Sequence, residues 1–305
     1  MMRSHLPIAI AVALFNALPP AKADHIELLQ WNMHGECFTK CHPGANGHCD
    51  RHYPACKHNA TEILWELMQG SHTPDRVKPD FASIQQLGDK EFINSGLTHW
   101  GKVYHTCGGA KGFGKYPFDI AVLYYDKSKW EPTLHQDGGC MERIWHASVN
   151  NYRAYVMQSF RRIDHVSDAH IIVVAAHYTH AVWGLPRMRT QIADMQNHSG
   201  VKQLILLADT NRECSTSSES LIHSLYPSVK TVASAHLHHT CCVPYFGHCY
   251  DRIIAAEFPG VHGLLPTTLP FLHLKRRPQW AAPNMHLPIR ARLSFEAAFA
   301  SARYV

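Results

Sequence analysis

The sequence predicts a mixed α/β domain built mostly from strands, and three observations carry that expectation. Short apolar, β-branched runs recur along the chain, the clearest being Ile171 to His177 and Gln203 to Asp209. Helical spacing is confined to a few short stretches between them. Polar residues capable of chemistry stand at the ends of the runs: Asn32, Gln86, His177, Asp209, Asn211, Asp251 and His286. Active sites are commonly assembled in this way, where buried strands exit onto loops.

Taken in order, the chain opens with Arg3 and His5, followed by an apolar run from Leu6 to Leu18 broken only by Pro7 and Asn16. Ala21-Lys22-Ala23 then offers small residues on either side of a lysine, as a cleavage site requires. Residues 1–23 are therefore predicted to be a secretory signal peptide, and 24–305 a single mature domain. The run is too short to span a bilayer, and no later stretch is long and apolar enough. His25 to Trp31 reads as a strand, Thr61 to Met68 as a helix with Ile63, Leu64, Leu67 and Met68 on one face, and Asp80 to Gln86 as a second strand. Cys107 to Lys115 is glycine-rich and reads as a loop. Phe118 to Tyr125, Tyr152 to Phe160, Ile171 to His177, Gln203 to Asp209 and Tyr250 to Ala256 read as strands, and Leu287 to Phe295 as the last one. Arg187 to Met195 and Ser217 to Leu225 read as helices, the second capped by Ser217 or Ser218. Ala235 to Cys249 and the proline-rich Pro259 to Pro283 are expected to be loops.

The formal charge of +5 falls by two to +3 when Arg3 and Lys22 leave with the leader, a balance that suits a polyanionic substrate without demanding one. The 25 histidines would add positive charge in a mildly acidic medium. All ten cysteines lie in the mature chain, and an even count behind a signal peptide implies disulfides and an oxidising, extracellular-type compartment. Zinc is the rival reading for Cys37, Cys41, Cys49 and Cys56, because His42, His48, His52 and His58 are interleaved with them. No paired C-x-x-C spacing supports it. Cys241 and Cys242 are adjacent and are expected to bond to different partners. Asn59-Ala60-Thr61 and Asn197-His198-Ser199 are glycosylation sequons.

Phosphodiester hydrolysis needs a cation on the phosphoryl oxygens, a group that orients and deprotonates water, and donors for the charge that builds on phosphate. The strand-end residues can supply all three. Here the chain resembles the endonuclease/exonuclease/phosphatase superfamily typified by DNase I. Trp31-Asn32-Met33-His34-Gly35 is similar to its first motif, and Pro79-Asp80-Phe81-Ala82-Ser83-Ile84-Gln85-Gln86 to its second. Ala175-Ala176-His177 is similar to the third, and Leu206-Leu207-Ala208-Asp209-Thr210-Asn211 to the Gly-Asp-x-Asn motif. Tyr250-Asp251-Arg252-Ile253-Ile254 and Asn284-Met285-His286-Leu287-Pro288-Ile289 resemble the last two. The Trp-Asn-x-x-Gly opening is also similar to the nuclease subunit of cytolethal distending toxins.

The resemblance implies a four-layer α/β/β/α sandwich of two mixed β-sheets flanked by helices. It implies catalytic roles for His177, Asp209, Asn211, Asp251 and His286, phosphate binding by Arg153 and Asn211, and metal binding by Asn32 and Gln86. The implied cofactor is a divalent ion, Mg²⁺ or Mn²⁺, with Zn²⁺ as an alternative if His34 lends a nitrogen. Two departures weaken the metal side: Gln86 stands where the family has glutamate, and Met285 where it has aspartate. A secreted DNase I-like endonuclease acting on DNA is the expected function, with delivery subunits as partners if the toxin likeness extends that far. The alternatives are a phosphatase of phosphoinositides or other phosphate esters, and a non-catalytic binding protein that has lost the metal.

Overall fold

The computed structural model describes residues 23–38, 53–71, 75–89, 91–108, 118–145, 149–164, 169–179, 185–236, 240–241, 248–261, 263–267 and 285–296. Residues 1–22 of the expected leader, the core of the glycine-rich loop, Cys41, Cys49, Cys242 and Asn284 fall outside the described residues.

The described strands form two sheets. The first contains β1 (Ala23–Asn32), β2 (Phe81–Gln85), β3 (Trp100–Gly108), β4 (Phe118–Asp126), β12 (Gly263–Thr267) and β13 (Ile289–Glu296), in the order β12-β13-β1-β2-β4-β3. The second contains β5 (Trp130–Pro132), β6 (Asp137–Trp145), β7 (Val149–Arg162), β8 (His170–His177), β9 (Leu204–Asp209), β10 (Val232–His236) and β11 (Asp251–Ala256). Its order is β10-β11-β9-β8-β7-β5, with β6 also paired to β7. Each sheet has one parallel pair at its centre, β1 with β2 and β8 with β9, and antiparallel neighbours around it. Both sheets are therefore mixed, as the resemblance implied.

Side-chain alternation sorts every central strand into an inner and an outer face. Ile26 and Leu28 of β1, Ala121 and Leu123 of β4, Ile171, Val173 and Ala175 of β8, Ile205 and Leu207 of β9, and Ile253 and Ala255 of β11 point inward and form one apolar core between the sheets. The outer face of the first sheet, with Leu29, Trp31, Ala82 and Ile84, packs against Ala60, Leu64, Leu67 and Met68 of α1 (Tyr53–Met68). The outer face of the second, with Ile172, Val174, Leu204 and Leu206, packs against α2 (Leu185–Ser199) and α3 (Ser218–Leu225). The result is the four-layer sandwich. Ser217 caps α3, its side chain accepting from the Ser220 backbone N–H at 3.0 Å. Gly200, at a φ of +71°, ends α2 and returns its N–H to the Gln196 carbonyl at 2.8 Å.

Several elements differ from expectation. α1 starts at Tyr53, eight residues early, with Pro54 in its first turn, where a missing N–H costs nothing. The Cys37–Cys56 disulfide pins this extension to the exit of β1. It also removes those two cysteines from the zinc reading. β3, β5 and β6 are additional strands. β10 is a further strand whose last two residues, Ala235 and His236, fall in a segment expected to be loop; β12 lies wholly in one and carries Pro266 on the sheet edge, where a strand tolerates proline. Cys107–Cys140 and Cys214–Cys249 are also disulfides. No helix of the described residues is long and apolar enough to cross a membrane.

Leu207→Ala, at the centre of the inter-sheet core, is expected to lower stability by about 2–5 kcal/mol. Ser217→Ala is expected to cost about 1 kcal/mol. Denaturant unfolding midpoints would check both.

Candidate functional site

At one end of the sandwich the inner face changes from apolar to polar without leaving the alternation. β1 runs Ile26, Leu28, Gln30, Asn32; β8 ends in His177, β9 in Asp209; β4 and β11 begin with Asp119 and Asp251 near their first residues. All of these polar side chains are buried. A buried polar group without a partner is costly, and here the partners lie across the gap between the sheets.

Asp209 is the centre. Asn32 Nδ2 donates to Asp209 Oδ2 at 2.7 Å, and the Asn211 backbone N–H donates to Oδ1 at 3.0 Å. His177 Nε2 lies 3.4 Å and His286 Nδ1 3.8 Å from Asp209 Oδ2. Each histidine has its own carboxylate behind it: His286 Nδ1 is 2.7 Å from Asp251 Oδ2, and His177 Nδ1 is 3.0 Å from Asp119 Oδ1. Gln30 Nε2 donates to the other Asp251 oxygen at 3.0 Å and to Gln85 Oε1 at 2.6 Å. Arg153 Nη1 stands 3.5 Å from Asp119 Oδ1, whose second oxygen accepts the Ala154 backbone N–H at 2.7 Å. His286 is laid across the end of β1, its N–H donating to the Asn32 carbonyl and its own carbonyl accepting from Trp31 Nε1 at 2.9 Å.

The electrostatics follow from this packing. Burial opposes the charge on Asp209, but the His286 and His177 imidazoles and the bonds from Asn32 and Asn211 outweigh it and hold the carboxyl below its ordinary value. Burial also opposes a charged His286, yet Asp251 and Asp209 outweigh burial and the repulsion of Arg153, so its pKa is raised. His34 behaves oppositely: burial, then His286, Arg153 and His177, push it down to about 3, and it is neutral.

Of the residues singled out in the sequence, Asn32, Arg153, His177, Asp209, Asn211, Asp251 and His286 come together. Two of their expected contacts change. Asn211 reaches Asp209 through its backbone, while its side-chain Nδ2 donates to the Tyr178 carbonyl at 2.7 Å. Asn32 presents its carbonyl oxygen to the His34 backbone N–H at 2.9 Å. Gln86 does not join the cluster: no hydrogen bond among the described residues ties its side chain to it, and its backbone turns at a φ of +57°. Met285 is buried in the apolar layer under α1. The donors that do converge are Asp209, Asp251 and His286, with one ligand atom each within 4.8 Å of the others. Two carboxylates and an imidazole form a mixed oxygen–nitrogen set, which fits Mn²⁺ or Zn²⁺ better than the all-oxygen shell that Mg²⁺ prefers.

Asp119, Gln30 and Gln85 were missed. Asp119 lies in the inward phase of Ala121 and Leu123, but Ile120, Val122 and Tyr124 make the strand apolar on its other face as well, so that phase does not stand out in the sequence. Gln30 shares the phase of Asn32. Five described non-glycine residues have positive φ, and three of them, His34, Gln86 and Asn211, sit just after β1, β2 and β9. Backbone strain of this kind gathers where side chains are aimed at a site.

No family model matches the sequence, and no curated protein matches it. Solved structures do. The human Nocturnin catalytic domain with a bound sulfate anion superposes with a TM-score of 0.54 at 15% identity, covering 91% of this chain and 100% of that one. An endonuclease/exonuclease/phosphatase from Bacteroides vulgatus gives 0.53 at 14% identity, over 90% and 100%. The fold is the endonuclease/exonuclease/phosphatase fold. ANGEL2, a 2′,3′-cyclic phosphatase in complex with adenosine-2′,3′-vanadate, gives 0.52 at 11% identity, over 92% and 99%.

Because its folded pKa is raised, His286 contributes stability fully below its unfolded value of about 6.5 and loses it as pH rises through the folded value. Asp209 is depressed, so its contribution is present above its unfolded value and is lost as pH falls through the folded one. Asp251→Asn is expected to lower the His286 pKa, read by NMR titration of the imidazole; an unchanged titration would contradict the pairing.

Proposed function

We propose that the chain is an exported, metal-assisted phosphodiester hydrolase acting on nucleic acid, with DNA as the expected substrate. The observation that carries this reading is the pair of histidine–carboxylate couples, His286–Asp251 and His177–Asp119, flanking one buried, ionised Asp209. The ANGEL2 and Nocturnin structures, with their vanadate ester and sulfate, support a phosphoryl substrate on this fold. The disulfides support an oxidising compartment. Residues 1–23 are the proposed leader and 24–305 the mature domain. Asp24, its first residue, would be held by Arg162, whose Nη1 donates to Asp24 Oδ1 at 2.6 Å.

In this reading Asp209, kept ionised and with its oxygens fixed by Asn32 and Asn211, orients the attacking water and accepts its proton. His286, oriented by Asp251, offers its imidazole to the divalent ion, and the leaving oxygen takes its proton from solvent water. His177, held by Asp119, and Arg153 face the non-bridging oxygens and stabilise the charge that grows there. Asn32, expected to help hold the metal, instead fixes Asp209. Asp209, Asp251 and His286 would hold the divalent ion, which when bound polarises a phosphoryl oxygen. The mature net charge is positive and favours a polyanion over a neutral ester.

The test is plasmid nicking by purified protein with Mn²⁺, Zn²⁺ or Mg²⁺. Asp209→Ala and His286→Ala are each expected to lower the rate by about 10²–10⁴-fold. Asp119→Asn is expected to be milder, because it leaves the His177 imidazole in place. A chelator should abolish activity and Mn²⁺ restore it. Phosphate release from phosphoinositide vesicles without nicking would replace this reading with the phosphatase one, and absence of both would leave a binding protein.

A further inference from the structure

Beside His286, the loop after β9 and the segment entering β11 build an aromatic shelf. The rings of His248 and Tyr250 lie stacked, with centroids 4.8 Å apart and planes at 13°. The Tyr250 ring in turn lies 6.2 Å from the His286 ring, tilted by 44°. Glu213 holds both rings: His248 Nδ1 is 3.0 Å from Oε2, and the Tyr250 hydroxyl donates to Oε1 at 3.3 Å. Burial and the Glu213 charge push the Tyr250 hydroxyl up to about 12, so it stays a donor.

The frame around the shelf is firm. The Cys214–Cys249 disulfide joins the two segments next to Glu213 and Tyr250. Cys241 and His248 exchange backbone hydrogen bonds of 3.0 and 2.9 Å, and Arg252 Nη2 donates to the Glu213 carbonyl at 2.9 Å. Despite this tethering, the side chains of His248 and Glu213 are 46% and 56% exposed. Ring ordering costs entropy, and here little of it is offset by burial. Two oriented rings with an accessible face next to a phosphoryl-transfer centre are the usual physical means of gripping a base, since every nucleobase has a π-face.

We propose that this shelf is a nucleobase-binding subsite: a base neighbouring the scissile phosphate stacks on His248, and Glu213 is the positioning residue that sets the ring. The proposal rests on the nucleic-acid reading above and adds what the enzyme grips beyond phosphate.

The experiment measures KM and kcat of the full mature chain on oligonucleotides with one cleavable phosphodiester. In one set that bond is flanked by ordinary nucleotides, in the other by tetrahydrofuran abasic residues. The wild type is expected to show a KM about tenfold lower on the base-bearing set, within the range of one stacked base. His248→Ala should bring that ratio near one with kcat little altered, Glu213→Ala should remove most of it, and His248→Phe, which keeps a ring, should restore it. A wild-type ratio near one, or a ratio that persists in His248→Ala, overturns the subsite while leaving the nuclease reading intact. Failure of the wild type to cleave either set, with or without phosphate release from phosphoinositide vesicles, overturns both.

Discussion

A single buried negative charge organises this molecule. Asp209 lies between two sheets, away from water, and an isolated carboxylate there would take up a proton. It stays ionised because both sheets contribute: Asn32 from the first, His177 and the Asn211 amide from the second, and His286 from the segment laid over β1. These contacts align the sheets at the site end, as Arg162 with Asp24 does at the far end. The apolar residues between give the stability, and the polar ends give the register. The same bonds that stabilise Asp209 as an anion also give it the state a water-activating base needs, so structure and chemistry draw on one network.

This arrangement explains what could be read without coordinates. β8 and β9 are buried on both faces, so their runs of Val, Ile and Leu stand out, and the residues that end them were identified as chemical. β3 and β6 lie toward one end of the two sheets, with half-exposed residues such as Lys102 and His105 on the first and Gly138 and Cys140 in the second. Such strands lack a periodic signal. β12 reads as loop because Pro266 breaks the pattern locally, while its pairing with β13 is a non-local fact. Asp119 went unnoticed for a related reason: Phe118 to Tyr125 is apolar on both faces, which hides the phase that sends Asp119 inward.

The placement of Gln86 and Met285 turns on the same alternation. Met285 packs with Trp31, Met33 and Leu87 in the layer beneath α1. Gln86 follows Ala82 and Ile84, which face that layer, before its backbone turns. A lone carboxylate beside such apolar neighbours would be poorly solvated, and its charge would need a cation or a donor close by. With both carboxylates absent, neither remains unpaired there, and the layer can close over Met285 as ordinary core. The remaining acids, Asp209, Asp251 and Asp119, all sit on the inner face and are each matched by a histidine, an amide or a guanidinium. A cation drawn to the site would meet Asp209 and Asp251 with the His286 imidazole beside them, rather than the amide of Gln86. That donor set, two carboxylates and an imidazole, is why the metal preference expected here moves toward ions that accept nitrogen as well as oxygen.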